Sequence, residues 1–503
     1  MSAGKRNFFL GFLILLLACA ILVSCETNSS NGDDDISPDD DSSVDNDSDD
    51  DDVVDDDSMS DDDCLSDDDS NADDDSSADD DTSENYFPLK DESGRTMILR
   101  GANFMAIEAG GQPIDYERMT EWGFNIVRIL ITWEALEPQQ GVYDDNYLSD
   151  IVEPQVGYAN DEGILVILDM HQYHWSSCCE GMGIPSWTCA DLPDGTFEWL
   201  WQSGKFWNHP EYLDAFIAAW EHVAEHFAGD DRIFAYDLFN EPVAGLRTLP
   251  WTFENPLLRP LYLRLIEAVR IIHPEPYLII EPSIVHGAGF PFVMKPIFEE
   301  RLIYSPHLYP GTIAIGGGYK FPKELIQYQL NHWVKEAAKQ KLPMLIGETG
   351  IVSAAYHAEE YARDSTDYME DVMAHWTWWA FGYDDDSMGL CDASGQPKEI
   401  FLRYLSRPYP RITAGQLRSF QFDSDSRIFN VTFDNENGLS PAVEIFINKD
   451  FHYPEGFEVL SSDEEGAWSH SFDGSTGILT VTCSPYVKTH TVTVKPAGNK
   501  VIC

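Results

Sequence analysis

The chain of 503 residues is 43% hydrophobic and 13% aromatic, which excludes a wholly disordered or fibrous protein and suffices for a large core plus an accessory domain. The formal net charge is −57, from 31 Lys+Arg against 88 Asp+Glu. This excess argues against a nucleic-acid partner, because too few basic side chains are present to neutralise phosphates over a broad surface.

The N-terminal residues carry the pattern of a bacterial export signal. Two basic residues precede the apolar run Phe8–Val23, which is too short for a full membrane span but suits a signal peptide over residues 1–24. The run ends in Leu22-Val23-Ser24-Cys25, which resembles a bacterial lipobox, and the resemblance implies that Cys25 becomes the lipidated first residue. A plain secretory signal and an anchor helix are the alternatives. We expect a protein of the bacterial cell envelope, held by its N-terminal lipid on the outer membrane or cell surface.

An acidic segment follows the predicted lipidation site. Between Asp33 and Asp81, 27 of the 49 residues are Asp and none is Lys or Arg, which leaves a net charge of about −30 for the rest of the chain. A polar segment of like charges repels itself, stays disordered and extends. Residues 25–85 are therefore predicted to be a tether. Calcium binding is the alternative, although no glycine interrupts the segment to bend it around an ion.

Three of the nine cysteines lie close together in the sequence, at Cys178, Cys179 and Cys189. Export permits disulfides, so we expect Cys189 to pair with either Cys178 or Cys179. A zinc site is the alternative for this cluster, although its spacing lacks the paired C-x-x-C pattern.

Between residues 86 and 407, short apolar runs alternate with longer stretches whose apolar residues recur every three or four positions. Eight β-then-α units in about 320 residues indicate an α/β fold of the (β/α)8 TIM barrel type. The predicted strands are Met97–Asn103, Asn125–Ile131, Leu165–His171, Ile233–Asn240, Tyr277–Glu281, Leu302–His307, Met344–Glu348 and Trp376–Phe381. A doubly wound open sheet is the alternative, but the Gly-rich phosphate turn typical of that fold is missing from the sequence.

Polar and aromatic residues gather where the predicted strands end. They are Arg128, His171 with Gln172, Asn240 with Glu241, His307 with Tyr309, Glu348, and Trp379. In a barrel the carboxyl ends of the strands converge on one rim, where active sites lie. Fold maintenance does not account for so many polar strand ends, because burying polar groups costs free energy unless they are paired.

The pattern changes after Pro408, where short alternating runs are separated by turns of Asp, Asn, Gly and Ser. This pattern predicts a β-sandwich over residues 408–503. The sandwich region carries no cluster of residues that suggests catalysis.

Two glutamates stand at strand ends on opposite sides of the predicted barrel. Glu241 ends the fourth strand and Glu348 ends the seventh. A barrel rim can bring two such carboxyl groups to about 5–5.5 Å, the separation that retaining glycosidases use. One carboxylic acid would then protonate the leaving oxygen while the other, ionised, attacks the anomeric carbon. Their mutual repulsion helps to keep one of them protonated near neutral pH.

The motifs around both glutamates resemble glycoside hydrolase family 5. The matching residues are Asn240-Glu241-Pro242 after the fourth strand and Gly347-Glu348 at the seventh. The resemblance implies that Glu241 is the acid/base and Glu348 the nucleophile. It also implies roles for six further residues: Asn240 holds the sugar 2-hydroxyl, Arg128 and His307 brace the nucleophile, Tyr309 hydrogen-bonds Glu348, His171 lines the subsite for the non-reducing sugar, and Trp379 forms the platform beneath it.

Longer stretches resemble the endoglycoceramidases of this family. They are Val127–Pro138 with Gly141–Tyr143, Leu168–Gln172, Gly183–Trp187, Phe206–Pro242 and Arg407–Pro410. The resemblance implies a retaining endo-β-glycosidase that splits glycosphingolipids between glycan and ceramide. We expect it to be monomeric and to need no cofactor or metal. The alternatives are a related retaining β-glycosidase for a glucosyl lipid or a β-1,4-glucan or mannan, and a catalytically inactive surface lectin. The intact glutamate pair argues against the lectin.

The sequence departs from that subfamily at two places. Endoglycoceramidases usually carry an Asp two residues after the third-strand histidine, where this chain has Tyr173 followed by His174. The loop Phe104–Glu108 lacks the Lys that relatives often place there. Both differences leave the identity of the glycan open while leaving the reaction type unchanged.

A loop rich in large apolar residues follows the third predicted strand. Its members are Trp175, Met182, Ile184, Trp187, Phe197, Trp199, Leu200, Trp201, Phe206 and Trp207. We expect these residues, Trp187 among them, to form an apolar groove for ceramide chains or a surface that enters the membrane interface. A buried satellite core and a polysaccharide cleft lined by Trp are the alternatives.

Overall fold

The computed structural model describes residues 86–105, 112–189 and 198–498. The predicted signal peptide, the lipidation site Cys25 and the acidic tether lie outside these residues. Within the described part of the chain, no helix has both the length and the apolar character needed to cross a bilayer.

Eight parallel strands form the barrel that the periodicity predicts, and a short hairpin precedes them. The hairpin strands are β1 (Leu89–Lys90) and β2 (Thr96–Met97). The barrel strands are β3 (Arg100–Met105), β4 (Ile126–Ile131), β5 (Leu165–Met170), β6 (Ile233–Asp237), β7 (Tyr277–Ile280), β8 (Leu302–Tyr304), β9 (Leu345–Thr349) and β10 (His375–Trp378). They pair in the order β8-β7-β6-β5-β4-β3-β10-β9, and a bridge between Tyr304 and Met344 brings the two ends together. The predicted α/β barrel is confirmed.

Helices follow the barrel strands and cover their outer faces. They are α1 (Pro113–Glu121), α2 (Trp133–Leu136), α3 (Glu153–Asp161), α4 (Glu198–Phe206), α5 (Pro210–His226), α6 (Pro250–Phe253), α7 (Arg259–Ile272), α8 (Glu324–Gln340), α9 (Ala358–Asp371) and α10 (Glu399–Leu405). Apolar residues of these helices pack on outward-facing strand residues in one large core, as residues repeating every three or four positions should. A second apolar layer joins Leu89 of the hairpin to residues of six barrel strands, among them Ile126, Ile167 and Ile279.

Two antiparallel sheets follow the barrel, as predicted for the C-terminal region. Their strands are β11 (Tyr409–Thr413), β12 (Gly415–Asp423), β13 (Ile428–Asn435), β14 (Ala442–Phe446), β15 (Phe457–Ser461), β16 (Ser469–Asp473), β17 (Ile478–Thr482) and β18 (Thr489–Pro496), with the short helix α11 (Lys449–His452) between β14 and β15. One sheet has the order β12-β13-β18-β15. The other has the order β1-β2-β11-β14-β17-β16 and therefore includes the N-terminal hairpin, because Met97 of β2 pairs with Ile412 of β11.

A buried ion-pair cluster joins the barrel to the C-terminal sheets. Glu370 of α9 accepts hydrogen bonds from Arg100 at 2.6 Å and from Arg407 at 2.9 Å. Its second oxygen accepts from the main-chain N–H of Phe422 in β12 at 3.0 Å. Because all three charged side chains are at most 1% exposed, the loss of Glu370 would leave two guanidinium groups buried without that partner.

The cysteine cluster contains a disulfide between Cys178 and Cys189, while Cys179 keeps a free thiol. The predicted pairing is therefore confirmed with Cys178 as the partner. The alternative of a zinc site in this cluster is wrong, because two of its three sulfurs are used in the disulfide.

Candidate active site

A cleft opens at the carboxyl ends of the barrel strands, as expected for this architecture. Its volume is about 450 Å³. It is lined by Met105, His171, Gln172, Tyr173, His174, Met182, Trp199, Asn240, Glu241, Ile284, Gly287, Ala288, His307, Tyr309, Ile313, Ala314, Glu348, Trp379 and Met388. Seven of the predicted site residues thus share one cavity, and Arg128 lies directly beneath it.

Glu241 and Glu348 face each other across this cleft. One carboxylate oxygen of each lies within 4.8 Å of the other. Glu348 stands near the end of β9, and its side chain is 7% exposed, whereas Glu241 follows β6 and is 23% exposed. The main chain at Glu241 has φ 43°, a left-handed conformation that is strained for a residue with a side chain. Such strain is commonly retained at a functional site.

Gly347 explains how Glu348 comes so close to its neighbours. A Cβ at position 347 would collide with Ser305 Oγ and would lie 3.0 Å from His307 Nε2. The glycine before the glutamate therefore lets β9 approach β8, and this approach brings Glu348 within reach of the residues that follow β8.

Two donors hold the carboxylate of Glu348. Arg128 Nη1 donates to Oε1 at 3.0 Å, and the Tyr309 hydroxyl donates to Oε2 at 3.1 Å. Burial raises the pKa of Glu348, whereas the positive charges of His307 and Arg128 act to lower it. The contacts predicted from Arg128 and Tyr309 to Glu348 are both present.

His307 contacts the other glutamate more closely than it contacts Glu348. Its Nδ1 lies 3.0 Å from Glu241 Oε1 but 3.7 Å from Glu348 Oε2. The expectation that His307 braces the nucleophile is therefore corrected: its main partner is the predicted acid/base. The reason is that the main chain places Nδ1 between the two carboxylates but nearer to the loop after β6.

The positive charge of His307 acts on the pKa of both Glu241 and Glu348. Burial would lower the pKa of His307, but the nearby charges of Glu281 and Glu348 and the bond to Glu241 raise it well above its ordinary value. Burial likewise acts to raise the pKa of Glu241, but the hydrogen bond from His307 and its charge lower it. A proton is thus held between His307 Nδ1 and Glu241 Oε1, on the side of the cleft where a leaving group would need it.

Arg128 lies at the centre of a buried polar network that sequence reasoning largely missed. Its partners at 2.9–3.1 Å are Asn103, Asp169, Asp237, Asn240, Glu281 and Glu348. Burial raises the pKa of Asp169 to about 8 and that of Asp237 to about 6, although the charge of Arg128 acts to lower both. A signal was present in the sequence, since a charged residue inside an apolar strand needs partners on neighbouring strands. Asp169 and Asp237 are cross-strand neighbours on β5 and β6.

His171 and Trp379 form one wall of the cleft. Their rings stack with centroids 5.3 Å apart and planes 15° from parallel, and His171 Nδ1 lies 2.9 Å from Asp169 Oδ2. Burial lowers the pKa of His171 to about 4, so this ring is neutral near pH 7. The peptide bond between Trp379 and Ala380 is cis. A neutral imidazole and an indole face suit the polar edge and the apolar face of a pyranose.

Asn240 joins the floor of the cleft to the loop after β5. Its Nδ2 donates to the main-chain oxygen of Gln172 at 2.9 Å, and its Oδ1 accepts from Arg128 at 2.9 Å. One amide proton remains for a sugar hydroxyl, because an amide nitrogen carries two. This position is compatible with the role that the resemblance implies for Asn240.

Trp187 does not reach the cleft, and its assignment to substrate binding is corrected. Its indole N–H donates to the main-chain oxygen of Glu137 at 2.9 Å. Its ring packs edge-on against Trp133, with centroids 5.3 Å apart. These contacts fix Trp187 against the main barrel core beside the cleft, so for this residue the interpretation that it packs inward, and does not line a groove, holds.

The other residues of the apolar loop divide into three groups. Trp175, Ile184, Phe206 and Trp207 are buried in the barrel core, and half-buried Leu200 packs against that core. Met182 and Trp199 line the cleft, and Trp199 continues a stack of rings through His174 to Tyr173. Trp201 is 59% exposed, and Phe197 lies outside the described residues, as does most of the loop that follows β3.

Most of this chain matches models of one enzyme family. Residues 91–385 match the family model described as cellulase (glycosyl hydrolase family 5), and residues 407–494 match the glycoside hydrolase family 5 C-terminal domain. Endoglycoceramidase I of Rhodococcus hoagii is 27% identical over 74% of this chain and 80% of its own length. An endoglycoceramidase of Hydra vulgaris is 22% identical over 68% of this chain and 73% of its own length.

Solved structures of an endo-glycoceramidase are also similar to this chain. Endo-glycoceramidase II from Rhodococcus sp., in a ganglioside GM3 complex, superposes with a TM-score of 0.72 at 26% identity, over 82% of this chain and 100% of that one. The same enzyme described as a lactosyl-enzyme intermediate gives a TM-score of 0.69 at 27% identity, with the same coverage of both chains.

Proposed function

The chain belongs to glycosyl hydrolase family 5 and is a glycoside hydrolase, and we propose that it is a retaining endo-β-glycosidase that splits glycosphingolipids between glycan and ceramide. The observation that carries this proposal is the pair Glu241 and Glu348, with oxygens within 4.8 Å across a cleft that has many apolar side chains. The similarity to endoglycoceramidases over most of the chain supports it.

The first half of the reaction forms a covalent glycosyl-enzyme. With the sugar stacked on Trp379, ionised Glu348 attacks the anomeric carbon and a C–O bond forms to its carboxylate. The bond to the ceramide oxygen breaks at the same time, and Glu241 gives that oxygen the proton that it shares with His307 Nδ1. Arg128 and Tyr309 hold Glu348 in position for this attack.

The second half returns the enzyme to its starting state. Ionised Glu241 takes a proton from a water molecule, whose oxygen attacks the anomeric carbon from the face that ceramide has left. The ester to Glu348 breaks, and the glycan leaves with its original β configuration. The greater exposure of Glu241 suits this step, because the acid/base must be reached by water whereas the nucleophile must be kept from it.

Part of the apolar lining lies near Glu241, which must contact the leaving group. Ile284 and Ala288 follow β7, which pairs with β6 and so lies beside the loop that carries Glu241, and Ile313 and Ala314 follow β8, the next strand of the barrel. The leaving oxygen must contact Glu241, so the group attached to that oxygen extends over these apolar side chains. A ceramide satisfies this environment better than a further sugar, because burying each methylene contributes about 0.8 kcal/mol.

A panel of fluorescent glycosphingolipids tests the proposal directly. We expect release of ceramide together with an intact oligosaccharide, and little turnover of soluble cellulose or mannan. Release of single glucose units from a glucosyl lipid would instead favour the alternative of an exo-acting enzyme. Hydrolysis of mannan or cellulose at a higher kcat/KM than any glycosphingolipid would contradict the proposal.

We further propose that the enzyme is held at the bacterial envelope by a lipid on Cys25. The support is the short apolar run that ends in Leu-Val-Ser-Cys, followed by an acidic segment. Replacing Cys25 by Ser should move the enzyme from the membrane fraction to the soluble fraction, because the acyl anchor is lost. Immunoblotting of the two fractions measures this. A Cys64→Ser variant is the control, and membrane association of Cys25→Ser equal to that of the wild type would contradict the proposed anchor.

Exposed apolar residues on the barrel rim are proposed to contact the substrate membrane. Trp201 on α4 is 59% exposed, Leu246 on the turn between β6 and α6 is 77% exposed, and Trp251 on α6 is 54% exposed. We call these three residues the rim ridge. It adjoins the cleft, since Trp199, two residues before Trp201, lines it. A bilayer that supplies the lipid substrate could accept such side chains at its interface.

Removing two residues of the rim ridge should affect membrane-embedded substrate selectively. For Trp201→Ala combined with Leu246→Ala, we expect kcat/KM to fall about tenfold or more on glycosphingolipid in vesicles, because burying a large apolar side chain contributes about 1.5–3 kcal/mol. Activity on a soluble aryl glycoside should stay within twofold. Tyr328→Ala, at a 71% exposed position on α8, is the control. Equal losses on both substrates would rule out membrane contact as the role of the ridge.

A further inference from the structure

One buried carboxylate contacts three parts of the catalytic machinery at once. Glu281 follows β7 directly and is 2% exposed. Its Oε2 accepts a hydrogen bond from the main-chain N–H of Glu241 at 2.7 Å. Its Oε1 accepts from Arg128 Nη2 at 3.0 Å and lies 3.2 Å from His307 Nε2. The side chain therefore touches the main chain of the acid/base, the histidine that bonds it, and the arginine that holds the nucleophile.

Glu281 is itself held in place from the outer layer of the barrel. The hydroxyl of Tyr262, on α7, donates to the main-chain oxygen of Glu281 and accepts from its main-chain N–H, both at 3.0 Å. Tyr262 is fully buried. The position of the Glu281 carboxylate is therefore fixed by the packing of α7 against β7, independently of any substrate.

The other buried acids of the network lack this combination of contacts. Asp237 Oδ2 lies 2.9 Å from Arg128 Nε, and Asp169 contacts Arg128 and His171. Among the described residues, neither has a recorded hydrogen bond or ion pair to Glu241 or His307. Asp237 is consequently a natural comparison for Glu281: it shares the arginine, the burial and the charge, but not the link to the acid/base.

We infer that Glu281 is a positioning residue for the acid/base, acting through His307 and through the main chain of Glu241. This inference rests on the proposed function, because it requires Glu241 to act as acid/base. Nothing in the two motifs around the catalytic glutamates identifies Glu281.

The main-chain bond stabilises an otherwise strained conformation. A residue with a side chain in the left-handed region costs about 1–3 kcal/mol, and Glu241 has φ 43°. The N–H exposed by this turn would be buried without a partner if Glu281 did not accept it, which adds a further penalty. The direction in which the Glu241 carboxyl points therefore depends on Glu281.

The contact between Glu281 and His307 affects the proton that His307 Nδ1 and Glu241 share. With Glu281 Oε1 3.2 Å from Nε2 and Glu241 Oε1 3.0 Å from Nδ1, both ring nitrogens face carboxylates, and this arrangement favours the protonated ring. The charged and titratable groups around His307 are Glu241 after β6, Glu281 after β7, Glu348 on β9, Arg128 on β4, Asp169 on β5 and Asp237 on β6. Removing the charge of Glu281 removes a neighbour that favours the imidazolium, so His307 should lose its proton at a lower pH.

The test compares Glu281→Gln with Asp237→Asn on aryl β-glycosides that differ in leaving group. For Glu281→Gln we expect kcat/KM to fall about 100-fold on a phenyl glycoside but less than tenfold on a 2,4-dinitrophenyl glycoside, which needs no acid in the first step. The alkaline limb of its kcat/KM profile should move to lower pH by one unit or more. Asp237→Asn should lose a similar factor on both substrates and should move the alkaline limb less than Glu281→Gln does, because Asp237 forms no ion pair with His307 among the described residues.

Equal losses of Glu281→Gln on both leaving groups, with an unmoved alkaline limb, would overturn the inference and reduce Glu281 to a structural role. Should this variant fail to fold, NMR of histidine-labelled wild-type enzyme decides the question, with His307 assigned through a His307→Asn variant. Titration of His307 at the ordinary histidine value of about 6.5 would overturn the inference, and titration well above it would support it. If wild-type enzyme hydrolyses neither glycosphingolipids nor aryl β-glycosides, the proposed function fails, and the same titration still decides the role of Glu281.

Discussion

Replacement of Glu348 by Gln is expected to abolish turnover, with kcat lower by several orders of magnitude on glycosphingolipid and aryl glycoside alike. The amide cannot form the glycosyl-enzyme, and among the described residues that line the cleft the other carboxylate is Glu241, the predicted acid/base. The amide also presents an NH2 group toward Arg128 or Tyr309, both of which donate to the carboxylate at 3.0–3.1 Å. Steady-state kinetics on both substrates, with thermal melting to show that the variant folds, measure this.

Azide provides the complementary result for the nucleophile. In Glu348→Ala, azide can occupy the space of the lost carboxylate and attack the anomeric carbon directly, so the product should be a glycosyl azide of inverted configuration. NMR of the product establishes that configuration. Glu360→Gln on the exposed face of α9 is the control for a Glu-to-Gln change, with unchanged activity expected. Activity of Glu348→Gln within tenfold of wild type would remove Glu348 from this role.

Replacement of Glu241 by Ala is expected to separate substrates by their leaving groups. A 2,4-dinitrophenyl glycoside should keep kcat/KM within about tenfold of wild type, because its phenolate leaves without a proton. A natural glycosphingolipid should lose several orders of magnitude, because an alkoxide is a poor leaving group. The acid is needed most where the leaving oxygen is most basic. A plot of log kcat/KM against leaving-group pKa should therefore have a steeper negative slope for this variant than for wild type.

The second step gives Glu241→Ala a different signature with azide. Without a base to activate water, the glycosyl-enzyme should accumulate and azide should speed its breakdown, giving a product of retained configuration. The two alanine variants would then yield opposite configurations with the same reagent. A loss by Glu241→Ala that is equal for both leaving groups would contradict the acid/base assignment.

The strands and the two catalytic glutamates could be predicted from the sequence because both depend on local order. Apolar runs that alternate with helical patterns predict the barrel. Since the carboxyl ends of all barrel strands lie on one rim, the sequence also predicts that Glu241 and Glu348 lie close together. The partners of these residues depend instead on side-chain geometry across several strands. His307 follows the sixth strand and could have bonded either glutamate, and only the fold places its Nδ1 nearer to Glu241 than to Glu348.

The same distinction explains why the sequence alone misassigns Trp187 to the cleft and gives no sign of the role of Glu281. A cluster of aromatic residues in a loop has the same composition whether it lines a groove or packs inward, and Trp187 packs on Trp133. Glu281 ends a predicted strand but has no motif around it, because its function comes from contacts to Glu241, His307 and Arg128, which are distant in sequence.

The hairpin β1–β2 imposes an order on how the chain can fold during synthesis. Its strand β2 is among the first described residues, yet the strand it pairs with, β11, emerges from the ribosome about 300 residues later. Leu89 of the same hairpin packs with the inner apolar layer of the barrel, so the hairpin connects this layer to the C-terminal sheets. Contacts of such sequence separation close slowly and leave an unpaired strand edge exposed meanwhile. The hairpin can therefore complete its sheet only after the whole barrel sequence has been synthesised.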